Sequence, residues 1–350
     1  SKMKKALCYE DVLLEPKLSD INSRTEVDLG VDLGKVWSYP DRRDIDFAIK
    51  APIISAPMDT VTGPEMAIEL YRYGALGILH RYNSIAEQVE MAVEVSNEGA
   101  IYGAAIGATG DFFERATALV RTAGAPILCV DVAHGHHANV RYALETLKNT
   151  FGDKVHIMAG NVATLKGFND LADWGADSIR VGIGGGSICS TRVQTGHGIP
   201  TLQSVMDCAE SSRDALLIAD GGLRNSGDIV KALAAGADSV MLGSVLAGTE
   251  ETPGDLLQRD DGHSYKVYRG MASKEAQLDW KGSYRSFEGV SSTVDFRGPV
   301  GPILDDLGTG IRSGLSYSGA TNLVELNWKA RFIRQTSAGA IESSAHIRRN

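Results

Sequence analysis

Residues 175–182 read Gly-Ala-Asp-Ser-Ile-Arg-Val-Gly, and residues 236–243 read Gly-Ala-Asp-Ser-Val-Met-Leu-Gly. In each, a glycine closes a helical pattern and passes the chain through Ala-Asp-Ser into a short apolar run that reads as a buried strand. Counting these two, eight such runs lie at 52–57, 76–80, 102–107, 127–133, 156–163, 178–184, 215–222 and 239–243. They are mostly apolar throughout, the pattern of strands covered on both faces in a parallel sheet. Amphipathic stretches at 64–73, 85–96, 112–122 and 138–150 lie between them, and Gly227-Asp228 ahead of Ile229 reads as a further helix start. Eight strand–helix units predict an α/β fold, a (β/α)8 TIM barrel. A doubly wound open sheet shares the alternation but commonly has fewer strands.

Gly99-Ala100 passes directly from the second helix to the third strand, so no inserted domain is expected. The predicted organisation is one barrel domain over 1–350. Within it, 249–293 is an active-site loop or flap, polar, glycine-containing and without firm periodicity. Residues 335–350 form a C-terminal tail, loose or lying over a neighbour. The 350 residues are 43% hydrophobic and 23% charged, a globular balance that excludes disorder as the main state. A net charge of −9 argues against a nucleic-acid surface, and no apolar run is long enough to span a bilayer. Ser1-Lys2-Met3-Lys4-Lys5 has no apolar stretch behind it, and Cys8, Cys129, Cys189 and Cys208 are too scattered for a disulfide framework or a CxxC metal site. A cytoplasmic location is expected.

Barrel chemistry belongs at the carboxyl ends of the strands. Those ends carry Met58-Asp59, His80-Arg81, Asp131-Val132-Ala133-His134, Asn161, the glycines at 182–186, Asp220-Gly221-Gly222 and Gly243-Ser244. Gly221-Gly222 and Gly243-Ser244 leave backbone N–H groups open to a phosphate at loops seven and eight, with Asp220 placed for ribose hydroxyls. In the sixth loop, five of the seven residues before Cys189 are Gly or Ser, which suits a reactive thiol better than a core filler. Cys129 and Cys208 read as buried hydrophobes. Glycine carbonyls of this loop offer oxygens to a monovalent cation. His134, His136 and His137 invite a metal, but they lack the helical i, i+4 spacing and an acidic ligand.

Taken together, these endings resemble the inosine monophosphate dehydrogenase and GMP reductase family. The matching residues are Ser55-Ala56-Pro57-Met58-Asp59-Thr60-Val61, Asp131-Val132-Ala133-His134-Gly135, Ala159-Gly160-Asn161-Val162, the Gly-Ser-Ile-Cys-Ser-Thr-Arg run at 186–192, Asp220-Gly221-Gly222 and Gly270-Met271-Ala272-Ser273. Gly185 departs from the family, which usually has proline there. The resemblance implies a purine nucleotide monophosphate with its C2 over Cys189. It places the phosphate on Ser187, Gly221, Gly222, Gly243, Ser244 and Tyr268, the ribose on Asp220, and the base beside Met58, Gly270, Met271, Ala272, Arg285 and Gly289. Thr191 and Glu288 become the polar pair at the reacting carbon. Ser23, Arg24, Arg81, Asp131, Val132, Ala133, Asn161, Ile183 and Gly184 are candidate contacts of a nicotinamide cofactor. Gly184, Gly186, Cys189 and Arg192 match the family's carbonyl donors to potassium. A homotetramer or octamer is implied.

The two activities of the family share a covalent purine–cysteine intermediate and differ in its fate. Dehydrogenases hydrolyse it with a flap bearing an Arg-Tyr pair. Here sixteen residues, 272–287, separate Met271 from Glu288, and no Arg-Tyr occurs among them. Tyr284-Arg285 ahead of Glu288-Gly289 is instead similar to the reductase pattern. The expected reaction is NADPH-dependent reduction of GMP to IMP. The alternative is an IMP dehydrogenase using NAD, to which Ser55–Met58, Asp131–His136 and the ending at 342–347 are more similar. An FMN-dependent barrel oxidoreductase would share the phosphate signals without needing Cys189, and a non-catalytic nucleotide sensor would not need Cys189, Thr191 and Glu288 together.

Overall fold

The computed structural model describes residues 3–38, 43–271, 273–281 and 291–344. Eight strands close into a barrel: β1 (Ile53–Ser55), β2 (Leu76–Leu79), β3 (Tyr102–Ile106), β4 (Ile127–Asp131), β5 (His156–Val162), β6 (Ser178–Val181), β7 (Leu216–Asp220) and β8 (Ser239–Leu242). Neighbours pair in parallel, and β8 returns to β1 with Val240 opposite Ile53. The (β/α)8 expectation is met. Helices α1 (Pro64–Arg72), α2 (Ile85–Asn97), α3 (Phe112–Arg121), α4 (Ala138–Phe151) and α5 (Leu165–Asp173) follow the first five strands. After β6 come the short α6 (Thr191–Thr195) and α7 (Thr201–Cys208). Helix α8 (Ser226–Ala234) follows β7, and α9 (Lys274–Lys281) and α10 (Val300–Tyr317) follow β8. Gly99 takes φ +70° as α2 gives way to β3, with no domain between them.

The repeated Gly-Ala-Asp-Ser builds the same joint twice. Gly175 and Gly236 take φ +115° and +117°, the left-handed region that favours glycine. The Asp177 carboxylate then accepts the Ile157 N–H at 2.8 Å, and the Asp238 carboxylate accepts the Leu217 N–H at 2.7 Å. Each aspartate thus stitches the entering strand to the one before it. Helix starts follow from the sequence too. Ser84 and Glu87 exchange hydrogen bonds in a capping box that opens α2. Helix α8 starts at Ser226, before the expected Gly227-Asp228, because the Asn225 side chain accepts the Asp228 N–H at 2.9 Å.

The amino ends of the strands are plugged by an antiparallel hairpin, Val31–Ser38 with Arg43–Ile49. Its Val31, Leu33, Phe47 and Ile49 pack on the barrel interior residues Ile54, Ile78, Cys129, Met158 and Met241. Phe47 meets the His156 ring at 5.5 Å, at the entry to β5. The opposite mouth is therefore the one left for ligands. The described residues of the 249–293 region hold more regular structure than their composition suggests: Leu257–Gln258 and Ser264–Arg269 form a three-stranded antiparallel sheet with Ser291–Asp295. Along the middle strand Lys266 and Tyr268 are buried, and the lysine disguises the alternation. Its Nζ donates to the carbonyls of Thr252 at 2.8 Å and Glu250 at 3.2 Å, which satisfies the charge locally. Just before the tail, Phe332–Arg334 pairs with Val12–Leu14, and within it a short helix covers Ser337–Glu342. No helix among the described residues is long and apolar enough to cross a membrane.

Candidate active site

A cavity of about 460 Å³ opens at the carboxyl ends of the strands, a volume suited to a small ligand. Its floor is a charged network. Arg180 of β6, 6% exposed, bonds the Asp131 carboxylate at the end of β4 and the Asp220 carboxylate at the end of β7, the latter at 2.9 Å. Burial opposes the Arg180 charge, but the two aspartates outweigh it and hold its pKa above the ordinary arginine value. Asn161 of β5 donates from Nδ2 to Asp220 at 2.8 Å and to the Gly182 carbonyl at 2.9 Å. Arg81 donates to the Asp131 carbonyl at 3.1 Å. The Nε atoms of Arg81 and Arg180 are buried without a partner among the described residues. Sequence reading passes over Arg180, which sits inside an apolar run. The available signal was a lone cation pointing into a barrel whose mouth already held two carboxylates.

The loop after β6 carries Cys189. Gly182 takes φ +149°, and a Cβ there would lie 1.9 Å from the Asp220 carbonyl oxygen, so only glycine lets loops six and seven approach. The Cys189 N–H donates to the Gly186 carbonyl at 3.1 Å, and the exposed thiol donates to Thr191 Oγ1 at 3.1 Å. Burial pushes the Cys129 and Cys208 thiols up to about 12, and both sit in the core as expected.

Against this loop, Gly221 and Gly222 take φ +96° and +77°, with the Cβ position of Gly221 3.1 Å from the Gly186 nitrogen. A Cβ on Gly243 would meet Tyr268 Oη at 3.0 Å and Met58 Sδ at 3.2 Å, so the cavity is kept open there by the missing side chain. Burial pushes the Tyr268 phenol up to about 12, against the lowering effect of the neighbouring Ser187 hydroxyl. Ser187, Ser244, Gly270 and Met271 line the same space. Tyr82 fixes Met271 by donating to its carbonyl at 2.6 Å, and the Asp59 N–H points at its sulfur at 3.4 Å. Tyr82 and Gln277 line the cavity and were not foreseen. Ala272, Arg285, Glu288 and Gly289 lie outside the described residues.

Val132, Ala133, Ile183 and Gly184 also line the cavity, together with Arg81 and Asp131. Asn161 lines it as well, although both amide hydrogens serve Asp220 and Gly182. Ser23 and Arg24 are not brought to this cavity within one chain. Ser23 caps its own turn, Arg24–Glu26, by accepting the Thr25 N–H at 3.2 Å, and that turn packs on α10. Gly184 packs on the Arg192 side chain, and the carbonyls of Gly186 and Arg192 each already accept one backbone N–H. His136 pairs with Asp170 at 2.7 Å, and His137 caps α4 by accepting the Asn139 N–H.

Fold and mouth together place the chain among (β/α)8 barrel proteins with a glycine-flanked cysteine at the ligand end. A profile described as the IMP dehydrogenase / GMP reductase domain matches residues 6–346. An inosine-5'-monophosphate dehydrogenase of Nitrosopumilus maritimus is 33% identical over 481 aligned residues, covering 98% of each chain. GMP reductase 2 of Homo sapiens is 39% identical over 94% of each chain. A GMP reductase of Leishmania major is 46% identical over 70% of this chain, which spans 52% of that protein. Among solved structures, GMP reductase from Trypanosoma brucei in complex with guanosine 5'-monophosphate superposes with a TM-score of 0.88 at 31% identity, over 99% of both chains. The chain belongs to the IMP dehydrogenase / GMP reductase family and is an oxidoreductase of that family.

Proposed function

We propose that this protein reduces GMP to IMP and ammonia with NADPH, through a covalent bond between Cys189 and C2 of the purine. The observation that carries the choice of reaction is the stretch between Met271 and Glu288: sixteen residues without the Arg-Tyr pair that activates water in dehydrogenases. Full-length similarity to human GMP reductase 2 and to the trypanosomal enzyme with bound GMP supports the same reading.

The nucleotide phosphate is assigned to the turns at Gly221-Gly222 and Gly243-Ser244 with Ser187 and Tyr268, and the ribose to Asp220. The base is assigned to the wall of Met58, Gly270 and Met271, which Ala272, Arg285 and Gly289 complete. The Cys189 thiol passes its proton toward Thr191 Oγ1, 3.1 Å away, and the thiolate adds to C2. Thr191 and Glu288 are assigned to protonate the departing amine. When bound, reduced nicotinamide supplies a hydride to C2. Expulsion of the Cys189 thiolate then restores the double bond and releases IMP. The buried Nε of Arg81 beside Asp131, without a partner among the described residues, fits an acceptor on that cofactor, with Val132, Ala133, Ile183 and Gly184 as the apolar and backbone surround. The neutral carbonyls of Gly184, Gly186, Cys189 and Arg192 suit potassium, which would brace the cysteine loop.

IMP dehydrogenase is the second reading, favoured by the full-length similarity to the Nitrosopumilus enzyme. Following nicotinamide absorbance with GMP plus NADPH, and separately with IMP plus NAD, decides between them. Oxidation of NADPH with GMP is expected. Turnover only with IMP plus NAD would replace the first reading by the second.

A further inference from the structure

Thr201, the first residue of α7, is 4% exposed, and its Oγ1 is buried with no hydrogen-bond partner among the described residues. Folded proteins leave few such groups unpaired, because a buried hydroxyl that has lost water and gained nothing is costly. Its position is specific. A Cβ on Gly185 would lie 2.3 Å from Thr201 Oγ1, and one on Gly222 would lie 3.8 Å from it. The hydroxyl is therefore wedged beneath the turns after β6 and β7, both of which line the cavity. Tyr9, 2% exposed and also with an unpartnered hydroxyl, packs its ring 3.8 Å from the Cβ position of Gly222 and closes the underside.

The turn above Thr201 has the freedom to change. Residues 184–186 are all glycine, and Gly185 makes no backbone hydrogen bond among the described residues. Three glycines in succession leave the peptide planes free to rotate at little steric cost. The same turn leads directly into Ser187 and Cys189.

We propose that Thr201 is a positioning residue. When a nucleoside monophosphate occupies the phosphate end of the cavity, the backbone of Gly185 pairs with the Thr201 hydroxyl and fixes the loop that carries Ser187 and Cys189. Thr201 Oγ1 has no partner among the described residues, so part of the affinity comes from satisfying it. The proposal rests on the nucleotide reading given above.

The test compares wild type, Thr201→Val and Thr201→Ser by calorimetric titration with GMP and IMP, alongside thermal melting without ligand. Valine keeps the shape and removes the hydroxyl. The expected result is a melting temperature for Thr201→Val equal to or above that of wild type, a nucleotide Kd about tenfold weaker, and recovery to within about twofold in Thr201→Ser. Equal affinity in wild type and Thr201→Val overturns the proposal alone. Equal weakening in both variants shows that the presence of the hydroxyl does not restore affinity and overturns it as well. A wild-type protein that binds neither GMP nor IMP sinks the nucleotide reading first, and this proposal with it.

Discussion

At the floor of the cavity, Arg180, Asp131, Asp220 and Asn161 sit at strand ends and bond one another, whereas at the rim Cys189 is exposed on a loop of glycines and donates to Thr191. The floor is costly to disturb because each charge is desolvated and depends on its partner. The rim's cysteine is exposed rather than packed in the core, and its glycines permit close approach of loops six and seven. Stability and chemistry are thus separated within a few residues of each other, and substitutions should divide accordingly.

The rim should give the greatest change. Cys189→Ala should lower turnover by at least about three orders of magnitude, while its melting temperature stays at the wild-type value. A coupled fall in both, seen by kinetics and calorimetry together, would erase the distinction between rim and floor. Next, Arg180→Met leaves two carboxylates facing one another without a cation. It should destabilise the protein by about 3–5 kcal/mol in denaturant unfolding, as expected when one member of a buried ion pair is removed. Loss of activity with unchanged stability would show the floor to be no more structural than the rim.

Asp131→Asn separates the two carboxylates of the floor. The amide keeps the shape but loses the charge, so the KM for NADPH should rise about tenfold with a smaller change for GMP. An equal rise for both would mean that Arg180 transmits the loss to Asp220. The least effect belongs to the Gly-Ala-Asp-Ser joint, outside the site. Burial raises the Asp238 pKa, against the lowering effect of the Leu217 N–H. The folded state therefore binds the proton more readily than the unfolded chain, so this group's contribution to stability falls as pH rises through its folded pKa. Asp238→Asn removes that titration. Its stability relative to wild type should be most favourable near pH ~7 and decline toward pH ~4, where both carboxylate pKa values are approached. Denaturant unfolding across that range reads the change, and a pH-independent difference would refute it.

The strand count, the glycine turns and Cys189 were legible because each depends on local pattern: apolar runs, left-handed glycines and a cysteine lacking apolar neighbours. Arg180 was not, since a buried cation is explained only by Asp131 and Asp220, which lie 49 and 40 residues away in the chain. The hairpin plug carries its own alternation, with Val31, Leu33, Phe47 and Ile49 buried and Asp32 and Ala48 exposed. It lies ahead of the eight strand–helix units at 52–243 and is not part of their repeat. Lys266 concealed a strand because its charge is met by carbonyls of a preceding turn. Ser23 and Arg24 show the converse, since their candidate role came from resemblance and a single chain does not bring them to the cavity.

The proposed reaction depends on a temporary bond between the Cys189 sulfur and the purine. Intact-protein and peptide mass spectrometry of enzyme quenched during turnover of GMP with NADPH looks for that bond itself. A purine nucleotide adduct is expected on the peptide containing Cys189 and should be absent from Cys189→Ala. Full turnover by Cys189→Ala, or an adduct located on another residue, would refute the covalent scheme.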